Sequence, residues 1–141
     1  MSSNIYKYME FSENYKNHYK NIFELYHLPE NQSKLLFHGW HHIQFVHNKA
    51  IEFATELKCD VEKVAVSALV HDLNYIFSDK LEPEAARAQI IEYVSKSGYD
   101  ESYAKAVADL IEDGHLAYRG SRELSDEAKA LADADTLFKA L

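Results

Sequence analysis

Apolar positions along this chain recur with a helical period, and no alternating stretch is long enough to predict a sheet. Between Phe11 and Tyr26, the residues Tyr15, Tyr19, Ile22, Phe23 and Tyr26 fall on one stripe, which predicts an aromatic-faced helix over 11–27. Pro29, Asn31, Gln32 and Ser33 mark Leu28 to Trp40 as a connecting loop. His42, Phe45, Val46, Lys49, Ala50, Phe53 and Leu57 then define the inward face of a second helix, His41 to Lys58. Asp60 is placed to cap a third, Val61 to about Leu73, which is apolar nearly all round and therefore central. Pro83 and Gly98 bracket a fourth, with Ala85, Ala88, Ile91 and Val94 or Ser95 as its packing face. Asp100 opens a fifth that carries Tyr103, Ala104, Val107, Leu110 and Ile111 and weakens at Gly114. After a loop from Tyr118 to Leu124, Ser125 caps a last helix whose first turn, Asp126 and Glu127, suits the positive end of the helix dipole. The pattern predicts an all-α bundle of about six helices.

Composition narrows this picture. A chain of 141 residues, 47% of them hydrophobic, can build one domain with a real core but not two, so a single helical domain over 1–141 is expected. Only 4 glycines and 2 prolines occur, which argues against a turn-rich sandwich and against a Gly-rich nucleotide loop. The 15 basic and 23 acidic residues leave a formal charge of −8, with no general attraction to nucleic acid or to an anionic membrane. Cys59 is the single cysteine and no secretory pattern follows Met1, which favours a reducing, cytoplasmic setting. No apolar run approaches the roughly 18 residues of a membrane span.

The eight histidines change the picture most. At about 100° per residue, His42 lies within the apolar stripe of the second helix, His41 at its margin, and His47 pointing away. His71 is in line with Val64 and Ala68 at the end of the most apolar helix, with Asp72 beside it. On the last helix Asp135 falls with Ala128, Leu131 and Phe138, whereas Asp133 turns to the opposite face. A carboxylate in an apolar core needs a partner, because desolvating an unpaired charge costs several kcal/mol. A divalent ion would serve, and two imidazoles with two carboxylates suit Mn, Fe, Co, Ni or Zn, with positions left for water and substrate. Taken singly, each of these groups is equally explained by hydrogen bonds in the core or by a lysine or helix-end partner.

His42 followed by Val46, Ala50 and Ala54, then Ala68-Leu69-Val70-His71-Asp72-Leu73, then Ala132-Asp133-Ala134-Asp135-Thr136-Leu137, resemble the H…HD…D signature of the HD-domain metal-dependent phosphohydrolase superfamily. The likeness runs from His38 to the C-terminus, so the motif region is 38–141. Its nearest pattern is that of small single-domain HD hydrolases, on His38-Gly39-Trp40-His41-His42, Ile111-Glu112-Asp113-Gly114-His115 and Glu127-Ala128. The resemblance implies an HD-type helical bundle with His42, His71, Asp72 and Asp135 as metal ligands. It also implies hydrolysis of a phosphate ester of a nucleotide or small metabolite, with metal-activated water as nucleophile. Mg joins the metals to be expected on this ground.

Three departures from that pattern refine the expectation. The glutamate that nucleotidase members carry three residues after the HD aspartate is Tyr75 here, so Tyr75 and His115 become the proton donors to consider beside Asp72. No histidine lies between Glu82 and Gly98 to serve a second ion, which makes one metal the simpler expectation. The chain stops six residues after Asp135, earlier than the resemblance implies, which makes a homodimer covering that end plausible. His38, Arg119 and Arg122 are candidate phosphate contacts, with Lys80 a weaker one. His18, His27 and His47 read as surface or packing residues. Two alternatives to hydrolysis stand: a binding module that keeps its metal structurally, and a di-iron oxygenase that would enlist His115 and His38.

Overall fold

A computed structural model of the chain describes residues 10–35, 38–77, 82–116 and 123–140. In chain order its helices are α1 (Glu13–His27), α2 (Pro29–Lys34), α3 (Trp40–Leu57), α4 (Val61–Val70), α5 (Asn74–Phe77), α6 (Pro83–Lys96), α7 (Glu101–Leu116) and α8 (Asp126–Ala140). Six of them are long and two are single short pieces, and no strand occurs among the described residues. The expected all-α architecture is present.

Helix α4 is the axis of the bundle because its sequence leaves it no polar face. Every residue from Val64 to Val70 is buried, and α1, α3, α6, α7 and α8 all pack against it. Burying each Val or Leu side chain there contributes about 1.5–3 kcal/mol, so this short helix holds more than its share of the core. Its N-terminus is fixed by Asp60, whose carboxylate accepts the Lys63 N–H, and the Asp60 N–H in turn donates to Glu127 of α8. Glu62 in its first turn accepts the Ser12 N–H, the Ser12 hydroxyl and the Tyr99 hydroxyl, which ties down the start of α1 and the α6–α7 connection. Asp100 and Ser125 cap α7 and α8 as expected, accepting from Tyr103 and Ala128.

Several details differ from the sequence reading. The stretch assigned to a loop contains α2: Pro29 presets its first turn and the Asn31 amide donates to the Leu25 carbonyl. The third helix ends at Val70 rather than Leu73, because the backbone tightens into Val70–Leu73 and Asp72–Tyr75 turns before α5 starts. Gly114 does not weaken α7, which continues to Leu116. It is buried where the α8 backbone approaches, and a β-carbon there would touch the Ala128 carbonyl. The buried face of α3 is His42, Ile43, Val46, His47, Ala50, Ile51 and Ala54, rotated from the expected stripe, so that Leu57 is exposed. On α1 the buried set includes His18, and Phe23 is exposed; on α6 it is Ile90 and Val94, and Ala85 and Ala88 are exposed. Gly98 holds a positive φ with Asn14 where its side chain would be, so only glycine fits that turn. Among the described residues no helix is long and apolar enough to cross a membrane.

Candidate metal centre

Three helices deliver the polar groups that helical phase had pointed inward. α3 supplies His42 from its first turn, the end of α4 supplies His71 and Asp72, and α8 supplies Asp135. His42 Nε2 lies 3.0 Å from Asp72 Oδ2 and 3.4 Å from Asp135 Oδ1. His71 Nε2 lies 3.5 Å from Asp72 Oδ1 and 3.6 Å from Asp135 Oδ1. Both imidazoles are buried, and both carboxylates nearly so.

These atoms are close without being well bonded to one another. His42 Nδ1 and Nε2, His71 Nε2 and Asp135 Oδ1 are buried and have no hydrogen-bond partner. Their carboxylate and imidazole neighbours supply ion-pair attraction, but buried polar atoms without a well-aligned hydrogen bond are rare in folded proteins. Two donors held about 2.1 Å from one divalent ion stand about 3.0 Å apart at a right angle and about 3.4 Å at the tetrahedral angle. The His42 separations fall in that range and the His71 ones just beyond it, and His42, His71 and Asp135 form a group that could hold an ion of mixed nitrogen and oxygen preference, with Asp72 adjoining it. His71 is also prepared for this role: its Nδ1–H donates to the Ala68 carbonyl at 2.7 Å, which leaves the Nε2 lone pair facing the carboxylates.

The electrostatics without a metal agree. Burial alone would lower the His42 pKa, but the Asp135 and Asp72 carboxylates outweigh it and raise the imidazole to about 9. His71 is raised too, its burial overcome by Asp72 and Asp135. Both aspartates titrate below the usual carboxylate range, burial opposing and the two imidazoles prevailing. Protons thus occupy positions that a cation would otherwise take.

A cavity of about 540 Å³ opens on this cluster. His38 stands at its mouth, with Nδ1 3.2 Å from Asp72 Oδ2 and its ring stacked on Tyr75 at 3.8 Å. His38, His42 and Asp72 form a second group that can hold an ion, sharing two members with the four-residue cluster. Phe138 packs edge-on against His42 at 4.4 Å and forms an apolar wall. Tyr75 and His115 line the cavity as well. His115 keeps an open edge to solvent, although enclosure of its ring and the neighbouring His71 lower its pKa.

The site therefore brings together His38, His42, His71, Asp72, Tyr75, His115 and Asp135, while Asp133 is exposed as expected. Arg119, Arg122 and Lys80 lie outside the described residues. His47, expected to point away, is buried on α3 against α1, and His18 is buried opposite α4. Sequence reasoning missed Lys139, whose ammonium sits 3.3 Å from Asp135 Oδ2, although its i+4 spacing from Asp135 was the available signal. It also missed Asn74, which lines the cavity and has no signature in the sequence.

Residues 39–139 match the HD domain family model, and the chain belongs to that family. The fold is similar to that of an HD superfamily hydrolase, so predicted, from an uncultured Thermotogales bacterium, with a TM-score of 0.71 and 21% identity over 95% of this chain and 73% of that one. It is also similar to Bacillus subtilis YpgQ, crystallised in complex with ADP, with a TM-score of 0.56 and 26% identity over 86% of this chain. This chain spans 59% of the YpgQ length. The sequence matches none of the curated proteins.

Proposed function

We propose that this protein is a metal-dependent phosphohydrolase that cleaves a phosphate ester of a nucleotide or small metabolite at one divalent ion held by His42, His71, Asp72 and Asp135. The observation that carries this reading is the convergence of four buried or nearly buried side chains from three helices, ion-paired at 3.0–3.6 Å, in which His42, His71 and Asp135 keep nitrogen or oxygen atoms without a hydrogen bond. When bound, such an ion lowers the pKa of a water and offsets charge on a phosphoryl oxygen. Membership of the HD domain family and the ADP complex of YpgQ support the same chemical class.

The protein's own residues have distinct parts in this reading. Ala68 fixes the His71 ring, His38 contacts the same Asp72 Oδ2 that faces His42, and Lys139 holds the second oxygen of Asp135. That bracing orients both carboxylates. Asp72 is the candidate acceptor of a proton from the attacking water in this reading. His38, Arg119 and Arg122 are the candidate phosphate contacts. Tyr75 and His115 line the cavity and are the candidate donors to the leaving oxygen; enclosure and the neighbouring His71 lower the His115 pKa, which favours its neutral form.

One observation favours a second reading: the His38, His42 and Asp72 group would be needed by a di-iron oxygenase. That group shares His42 and Asp72 with the proposed ligand set, so His38 is its one unshared member, and His115 in the same cavity is the other ligand such an enzyme would enlist. The experiment that decides is phosphate release from an aryl phosphate and a nucleotide panel with Mn²⁺, Co²⁺ or Ni²⁺. Release that a chelator stops and O₂ does not affect is expected. Oxygen uptake with iron would establish the oxygenase, and ligand binding without turnover would establish a binding module.

A further inference from the structure

A second cavity of about 520 Å³ lies between α6 and α7, and it shares His71, Asn74 and His115 with the cavity over the metal cluster. The two are neighbouring lobes on either side of that wall. Their linings differ in chemistry. The first lobe holds the imidazoles, the aspartates and Lys139. The second has an apolar floor of Ile90, Ala108 and Ile111, with Ala86 at its side.

Its charged residues do not suit an anion. The lining carries Glu84 and Glu112; of its described basic groups, Arg87 is engaged by carboxylates and His71 faces Asp72 and Asp135. Arg87 Nη1 donates to Glu112 Oε2 at 3.3 Å and its Nη2 is ion-paired with Asp109 Oδ1 at 2.8 Å, a fork closed across α6 and α7. Among the described residues, both Arg87 and His71 in this lining are already paired with carboxylates. A second phosphate placed here would meet carboxylates, whereas an uncharged group with one apolar face would find the aliphatic floor and the Asn74 amide.

We infer that the α6–α7 cavity is the leaving-group subsite, and that it takes an uncharged, partly apolar alcohol moiety rather than a further phosphate. The inference rests on the phosphohydrolase reading for the identity of the leaving group, but the cavity's preference for an uncharged ligand can be measured without any turnover. A phosphoryl group at the metal cluster would then place the rest of the ester past His71 and Asn74. Selectivity among esters becomes a property of α6 and α7, distinct from the metal ligands.

The test uses the full chain and four probes: inorganic phosphate, adenosine, AMP and ADP. Amide NMR of the isotope-labelled protein is expected to show adenosine and AMP shifting Ala86, Ile90 and Ala108, and inorganic phosphate shifting residues around His42 and His71 only. Ala86→Trp, at a half-exposed α6 position, should fill the lobe. The ratio of phosphate Kd to AMP Kd should fall at least tenfold, with the thermal melt used to establish that the variant is folded. Should Ala86→Trp not fold, the wild-type amide map decides alone. Absence of α6 and α7 shifts with adenosine and AMP, or ADP binding more tightly than AMP through those same amides, overturns the inference. Metal content and phosphate release, measured on the unaltered protein, report separately on the hydrolase reading.

Discussion

Helix α3 carries two buried histidines five residues apart, and they have opposite fates. His47 is fully satisfied: its Nδ1–H donates to the Asn48 side-chain oxygen at 2.9 Å, and its Nε2 accepts from the Tyr15 hydroxyl at 2.6 Å. Nearby on α1, His18 bonds the Val66 carbonyl and the Ser97 hydroxyl. Burial drives both imidazoles down to about 4, so both are neutral packing groups. His42, equally buried, has carboxylates around it, a raised pKa and no hydrogen-bond partner for either nitrogen. Burial of a histidine therefore carries no functional information by itself. What separates the two histidines is whether their polar atoms are hydrogen-bonded within the protein: those of His47 are, and those of His42 are not.

The sharpest way to break this comparison is to remove a ligand. His71→Ala and Asp72→Ala should each weaken Mn²⁺ binding at least a hundredfold and abolish phosphate release, whereas His47→Ala should retain its metal. Elemental analysis and calorimetric titration check this, and retention of full metal by both ligand variants would end the site assignment. A smaller effect is expected in proton supply. Tyr75→Phe should lower cleavage of alkyl phosphates by roughly 10²-fold while sparing activated aryl esters, whose leaving groups need no proton. If His115→Ala produces that pattern and Tyr75→Phe does not, the donor is His115.

The satisfied region should respond in stability instead. His47→Ala removes the acceptor for the Tyr15 hydroxyl and leaves a void, at a cost of about 2–4 kcal/mol in denaturant unfolding. The same residue predicts a pH effect of definite sign. Its pKa is about 4 when folded against an ordinary 6.5, so between these values the unfolded chain binds more protons and stability falls as pH falls. Replacing His47 by Gln should reduce the slope of stability against pH in that window by up to about 1.4 kcal/mol per pH unit. An unchanged slope would show that His47 is not held neutral. At the small end, Asp133→Ala should keep its metal and alter stability by no more than about 0.5 kcal/mol, since Asp133 is exposed.

Much of this molecule was legible before any coordinates, because its decisive signals are local. Caps at Asp60, Asp100 and Ser125, the unbroken apolar run of α4, and the phase that turns Asp135 in and Asp133 out are all properties of a single helix. Those alone predicted an all-α bundle and the inward His42, His71, Asp72 and Asp135. Tertiary packing decided the rest. The true inward faces of α1, α3 and α6 depend on how many neighbours each helix has, and α3 between α4, α8 and α1 buries a broader arc than one stripe. The histidine pattern could not tell His42 from His47 by burial, because burial of His47 comes from Tyr15 on another helix. Nor could sequence show the second cavity, which exists only where α6 and α7 stand apart beside His71 and Asn74. Periodicity fixes which way a side chain leaves its own helix, but whether its polar atoms find partners depends on groups distant in sequence that only the folded chain brings within reach.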